Sequence, residues 1–195
     1  MPRLVDHDER REQLSAAVWQ VVSEHGLDGL TLRAVGDAAG CTTGRVAHYF
    51  RDKNALLTHA RDVMHRRMVA RIDALGDFAG PRERLRAVLQ EGVPLDEERR
   101  LTSTVWAYFL MAARTDPALL AEHVVRHESW IRRVTGLLRD AYDVPPDDLE
   151  LRARNLVALL EGLALCGVAT PELYPPDLLV RAVDNHLELL LGAKE

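Results

Sequence analysis

Cysteine is scarce in this chain: Cys41 and Cys166 are the only two among 195 residues. Two thiols make no disulfide framework, and a reducing compartment fits. Long apolar runs are missing as well. The most apolar stretch, 156–169, is interrupted by Glu161 and falls short of the ~20 residues that span a bilayer. The opening Met-Pro-Arg-Leu-Val-Asp-His-Asp-Glu lacks the apolar centre of a secretory leader. These absences predict a cytoplasmic protein with no membrane partner. No segment alternates polar and apolar residues with β-branched enrichment, so strands are not expected. Nor is there a nucleophile elbow, a phosphate loop or a pair of carboxylates in a plausible cleft, so no enzyme chemistry and no cofactor are expected. His123 and His127 stand one helical turn apart, but no third ligand accompanies them and no metal is expected.

Positive charge is lacking in the total, which is −5, but not in every region. Residues 1–71 hold 11 Lys+Arg against 9 Asp+Glu, net +2, which leaves 14 against 21, net −7, for residues 72–195. The early acids cluster at Asp6, Asp8, Glu9 and Glu12. From Cys41 to Arg71 the bases are Arg45, Arg51, Lys53, Arg61, Arg66, Arg67 and Arg71, against Asp52 and Asp62 alone. A basic end on an acidic body orients a molecule on a polyanion and keeps the body away from it.

What is present is helical periodicity almost throughout, at 47% apolar and 28% charged residues. The spacing predicts a first helix over residues 8–25, with Leu14, Ala17, Val18, Val21 and Val22 as its buried stripe and Gly26 as its stop. Residues 31–49 read as two short helices around a turn at Gly40. Thr31 caps the first, and Thr42 or Thr43 can cap the second. Asp52 caps a fourth helix reaching about residue 75. Gly80-Pro81, Asp96 and Asp116-Pro117 open three more, ending near residues 92, 115 and 142. Pro145-Pro146 breaks the chain, and Asp147 with Glu150 makes a partial capping pattern for a helix ending at 167–169. A last helix starts at Asp177 and closes near Gly192.

The helix after Asp116 carries Leu120, Val124, His127, Ile131, Val134 and Leu138 at alternating intervals of four and three. The next one repeats that alternation at Leu156, Leu160, Leu163 and Gly167, and Gly162 and Gly167 permit close helix approach. Each stripe can face its own core. Both helices, however, are apolar on more than one side and therefore ask for two partners. Two such helices, 117–142 and 147–168, from each of two copies would make a four-helix homodimer interface.

Spacing alone leaves the helical pair at residues 31–49 open between a DNA reader and a corner that only packs. The run Gly40-Cys41-Thr42-Thr43-Gly44, followed by His48-Tyr49-Phe50-Arg51-Asp52-Lys53-Asn54-Ala55-Leu56-Leu57, closely resembles the N-terminal signature of TetR-family regulators. Its His-Tyr-Phe-Arg-Asp-Lys-Asn segment is most similar to the BetI-type subgroup. So are Val105-Trp106-Ala107-Tyr108-Phe109 and Leu159-Leu160-Glu161-Gly162-Leu163 further on.

That resemblance implies an all-α protein. A three-helix helix-turn-helix domain at 1–51 precedes a helical effector-binding and dimerisation domain at 52–195, and the helix starting at Asp52 links them. It implies a repressor that grips a palindromic double-stranded operator as a homodimer and is released by a small-molecule effector. Thr42, Thr43 and Arg45 then meet base edges, and Arg45 can take a guanine bidentately. Gly44 permits close backbone approach, Val46 touches a thymine methyl or packs inward, and Arg33 reaches bases or phosphate. Tyr49 and Lys53 contact phosphates, while Phe50 belongs to the core. Ala47 departs from the family, which mostly has a phosphate-contacting aromatic there, and His48 is the residue to which that contact can move. For the effector, the candidates are Trp106, Phe109, Met111, His127, Trp130 and Glu161, a set whose aromatic faces and carboxylate suit an organic cation. The alternative is a helical ligand-binding or scaffold protein with a vestigial DNA head, to which the acidic total and Ala47 lend support.

Overall fold

A computed structural model describes residues 3–191, with side chains at Arg10 and from Gln13 to Leu189. Gly192, expected to close the last helix, lies outside the described residues, as do the side chains of residues 1–9 on which the leader expectation rests. Among the described residues the chain forms nine helices and no strand: α1 (Arg3–His25), α2 (Leu32–Ala38), α3 (Thr43–Tyr49), α4 (Lys53–Asp73), α5 (Pro81–Gln90), α6 (Glu97–Ala113), α7 (Pro117–Ala141), α8 (Pro146–Ala169) and α9 (Pro176–Leu191).

Local chemistry places most of the boundaries. Thr31 accepts the Ala34 amide at 3.1 Å, Asp52 that of Ala55 at 2.8 Å and Asp96 that of Arg99 at 2.8 Å. Asp116 accepts both Ala118 and Leu119 amides, at 2.9 and 3.2 Å. Each such cap is worth about 1 kcal/mol against alanine. Between the two residues that can cap α3, the structure selects Thr42, whose Oγ1 accepts the Arg45 amide at 3.3 Å; Thr43 is the first helical residue. The start of α8 differs from expectation. Pro145 and Pro146 occupy the N-cap and first position, so Asp147 sits inside the first turn. There it complements the helix dipole instead of capping.

The core has two parts. One gathers Leu14, Val18 and Val21 of α1, Val35 of α2 and Val46 of α3 with Leu56, Ala60 and Met64 of α4 and Phe109 of α6. The other gathers Ile72 at the end of α4 with Leu85 and Leu89 of α5, Val134 and Leu138 of α7, Leu156 and Leu160 of α8 and Leu179 and Val183 of α9. Burying each such side chain is worth roughly 1.5–3 kcal/mol. The seven-residue helices α2 and α3 are too short to stand alone and exist because Val35 and Val46 are fully buried. The first half of α4 thus packs with the three N-terminal helices, and its end packs in the C-terminal bundle.

The apolar seam expected along α7 divides. Ile131, Val134 and Leu138 are buried in the chain's own core, whereas Leu120 and Val124 are exposed. On α8 the stripe Leu156, Leu160, Leu163 and Gly167 is wholly internal. A Cβ at Gly167 would meet Pro94 Cγ at 2.6 Å, so this glycine serves close packing within the chain. A different α8 face, Leu151, Asn155, Ala158, Gly162 and Leu165, is exposed at the same alternating spacing.

Candidate nucleic-acid interface and effector cavity

The turn between α2 and α3 is built on two glycines. Gly40 takes φ +62°, a left-handed conformation that costs other residues about 1 kcal/mol or more. Gly36 accepts the Cys41 amide at 2.9 Å, and a Cβ on it would stand 3.0 Å from the Cys41 carbonyl oxygen. The close approach of the two helices therefore requires glycine at 36, a position the sequence reading passed over. Across this turn α3 pins Val46 into the core and leaves Thr43, Gly44, Arg45, Ala47 and His48 exposed, with Thr42 exposed before them. Val46 thus packs inward, and Phe50 is buried as expected.

The remaining expected contacts fall around this surface. Arg33 is exposed on α2, 3.9 Å from Asp37. Tyr49 is half-buried against the core, its ring set edge-to-face with His48 at 5.5 Å between centroids. Lys53 is exposed as the first residue of α4, where the unpaired amides of the helix start add to its charge. Among the described residues neither Arg45 nor Lys53 forms an ion pair, so both cations remain available to a polyanion.

A second site lies deeper in the molecule. A cavity of about 100 Å³ is walled by Arg61, His65 and Met68 of α4, by Glu91 and Gly92 after α5, and by Thr102, Ser103 and Trp106 of α6. Arg126, His127 and Trp130 of α7 and Leu160, Glu161 and Ala164 of α8 complete it. Four of the six expected effector residues line it: Trp106, His127, Trp130 and Glu161. The other two do not. Phe109 is fully buried in the N-terminal core, beneath the Arg61 guanidinium at 5.7 Å from the ring centroid. Met111 is 62% exposed, because five residues beyond Trp106 carry it to the outer face of α6. The α4 wall was missed from sequence, although Arg61, His65 and Met68 at intervals of four and three share one face.

Charge inside the cavity is organised in pairs. His127 Nδ1 lies 3.0 Å from Glu161 Oε1, and its ring stacks on His123 at 5.3 Å. Burial pushes the Glu161 carboxyl up, against the opposing pull of His127 and Arg61. Glu91, itself buried, is held by Arg71 at 2.8 Å and Arg99 at 3.0 Å. Arg126 pairs with Asp62 and Glu122. Burial, then the charges of Arg61 and Arg126, push the His65 imidazole down; burial, His127 and Arg61 do the same to His123.

A basic two-helix reading head above a helical cavity body matches known proteins in both halves. Residues 14–60 match the profile of bacterial regulatory proteins of the tetR family, and residues 81–192 match that of the C-terminal region of BetI-type transcriptional repressors. The chain belongs to the TetR family of transcriptional regulators. Similar to it is the HTH-type transcriptional regulator PksA of Bacillus subtilis, 30% identical over 96% of this chain and 93% of that one. A transcriptional regulator of Rhodococcus sp. has a TM-score of 0.82 at 30% identity, covering 93% of this chain and 95% of its own. A regulator of Saccharomonospora viridis solved in complex with choline has a TM-score of 0.80 at 17% identity, covering 94% and 98%. At that distance the last likeness concerns the fold. Among its described residues this TetR-family regulator has no helix long and apolar enough to cross a membrane.

Proposed function

We propose that this regulator is a homodimeric repressor that grips a palindromic operator and releases it when a small molecule fills the cavity. Residues 1–51 carry the reading head, and residues 52–195 carry the effector and dimer functions. Arg45 reads a base edge, with Thr42, Thr43, Gly44 and Arg33 around it; Tyr49, Lys53 and His48 hold phosphates. The dimer forms through helices 117–142 and 147–168, and the exposed seam from Leu151 to Leu165 with Leu120 and Val124 supports that pairing.

The observation that carries the reading is the double membership of α4. Arg61, His65 and Met68 face the cavity, while Leu56, Ala60 and Met64 share one core with α1, α2 and α3. Arg61 stands eight residues from Lys53, roughly 12 Å along the helix. A ligand that displaces this segment moves the head with it and changes the separation of the two heads in the dimer. Its leverage on operator affinity equals its preference for one of the two arrangements.

An organic cation is the effector first suggested by the aromatic faces and Glu161. In the cavity it has to share Glu161 with His127 and lie beside Arg61 and Arg126. The experiment that tests the function is footprinting on the DNA flanking the chain's own gene. Two protected half-sites about one or more helical turns apart are expected, with two chains bound per site. Uniform, sequence-independent protection would leave the scaffold alternative in its place.

A further inference from the structure

The cavity's carboxylates are committed, whereas one of its arginines is not. Glu91 is held by Arg71 and Arg99, and Glu161 by His127. Arg126 bridges Asp62 and Glu122. Among the described residues Arg61 makes no hydrogen bond or ion pair within contact distance; its guanidinium lies over the face of Phe109, and Asp62 and Glu161 act on its charge from further off. The Nε atoms of both Arg61 and Arg126 are buried without a hydrogen-bond partner. A buried guanidinium N–H with no acceptor is costly, and an anion entering the cavity removes that cost with charge-assisted, bidentate hydrogen bonds.

We propose that the effector is a small carboxylate with a flat apolar body, its oxygens on Arg61 and its body against Trp106, Trp130 and Leu160. This rests on the cavity being the effector site. The volume of about 100 Å³ lies below the roughly 150 Å³ of an apolar cavity that takes benzene, which limits the body to a single ring and requires the walls to yield around it. The electrostatics agree. Burial and the Arg126 charge, against the opposing pull of Asp62 and Glu161, bring the Arg61 guanidinium down to about 10, still charged at neutral pH. Burial, and then the same two arginines against the opposing charge of Asp62, push the His65 imidazole down. A cation would find both lining carboxylates, Glu91 and Glu161, already paired. Because Arg61 is an α4 residue, the carboxylate would pull on the helix that carries the reading head.

Benzoate, benzamide and benzamidine share one planar shape and differ in charge. The test titrates each into the full chain, following tryptophan fluorescence and thermal midpoint, then repeats the series on Arg61→Met and Arg61→Lys. The expected result is benzoate binding at least tenfold more tightly than benzamide (about 1.4 kcal/mol per tenfold), with benzamidine weakest. Arg61→Met should abolish the preference while retaining benzamide, and Arg61→Lys should restore part of it. If benzamide or benzamidine binds wild type as well as benzoate, the carboxylate assignment fails and the effector cavity stands. If benzoate keeps its preference in Arg61→Met, the assignment to Arg61 fails. If none of the three perturbs the chain at millimolar concentration, the assignment of a single-ring carboxylate fails. The charge series on wild type decides the matter even if a variant does not fold.

Discussion

Arg71 Nε lies 2.8 Å from Glu91 Oε2, tying the end of α4 to the end of α5 where the cavity begins. Arg71 also reaches Glu98 of α6 at 3.0 Å, and Arg67, one turn earlier, reaches the same carboxylate at 3.3 Å. Arg67 in turn covers the Trp19 ring of α1 at 4.2 Å. The helix proposed to move on effector binding is thus clamped by a charged network on one side and a cation–π contact on the other.

Removing the centre of that network should be costly. Glu91→Ala leaves Arg71 and Arg99, both largely buried, without their shared acceptor. A loss of about 3 kcal/mol in urea unfolding is expected. Glu91→Gln keeps an acceptor oxygen and should lose less. An unchanged urea midpoint in Glu91→Ala would show that the network does not hold α4.

The helix-turn-helix corner should be sensitive to one methyl group. In Gly36→Ala the new Cβ meets the Cys41 carbonyl oxygen at 3.0 Å, so α2 and α3 must separate by a few tenths of an ångström. A stability loss of about 1 kcal/mol is expected, with a larger proportional loss of operator affinity because α3 tilts. Gly44→Ala meets nothing within 4 Å in the free protein. Its effect should therefore appear only on DNA, and a wild-type melting midpoint in that variant checks this.

Much of this architecture is written locally, which is why the sequence carries it. Thr31, Asp52, Asp96 and Asp116 cap helices through bonds to amides two or three residues away, and Gly40 marks its own turn. Contacts between helices are less legible. Arg61 reads only as one base among several between Cys41 and Arg71, and nothing local singles out His65, until α6, α7 and α8 complete the cavity around them. Met111 reads like Trp106 until the rotation of α6 is fixed by packing. The seam on α7 is one stripe in sequence, but α8 and α5 cover only its C-terminal part, so Leu120 and Val124 remain exposed. Asp147 has the right residue type for a cap and loses the position to two prolines whose fixed φ pre-sets the first turn.

Acid should destabilise the fold above the carboxylate range. Burial lowers the folded-state pKa of His65, His123 and His186, so the unfolded chain binds more protons as pH falls below about 6.5. Stability is then full above that pH and is lost as pH falls towards the folded values. Glu161, shifted upward by burial, acts the other way: its contribution falls as pH rises from the ordinary carboxylate range towards its folded value. Urea midpoints at pH 7.5 and 5.5 should show the lower value at 5.5, and His65→Asn should reduce the difference. A flat profile would exclude this histidine linkage.

The dimer should come apart when its proposed seam is charged. Leu165, half exposed on α8, and Gly162, around which a Cβ meets nothing, both face away from the chain's own core. Leu165→Glu should cost the monomer little stability yet shift sedimentation equilibrium towards monomer by tenfold or more. It should also cut operator affinity, because two linked heads bind far more tightly than one. An unaltered dimer in Leu165→Glu and Gly162→Glu would place the interface elsewhere.

The most direct test of the account is fluorescence anisotropy of the dimer on its footprinted operator and on a scrambled duplex, for wild type, Arg45→Ala and Lys53→Ala, across a salt series. Arg45→Ala should lose about 1–3 kcal/mol on the operator and little on the scrambled duplex. Lys53→Ala should weaken both alike and reduce the salt slope by about one per chain. Equal operator affinity for wild type and Arg45→Ala would contradict the assignment of α3 as the reading helix.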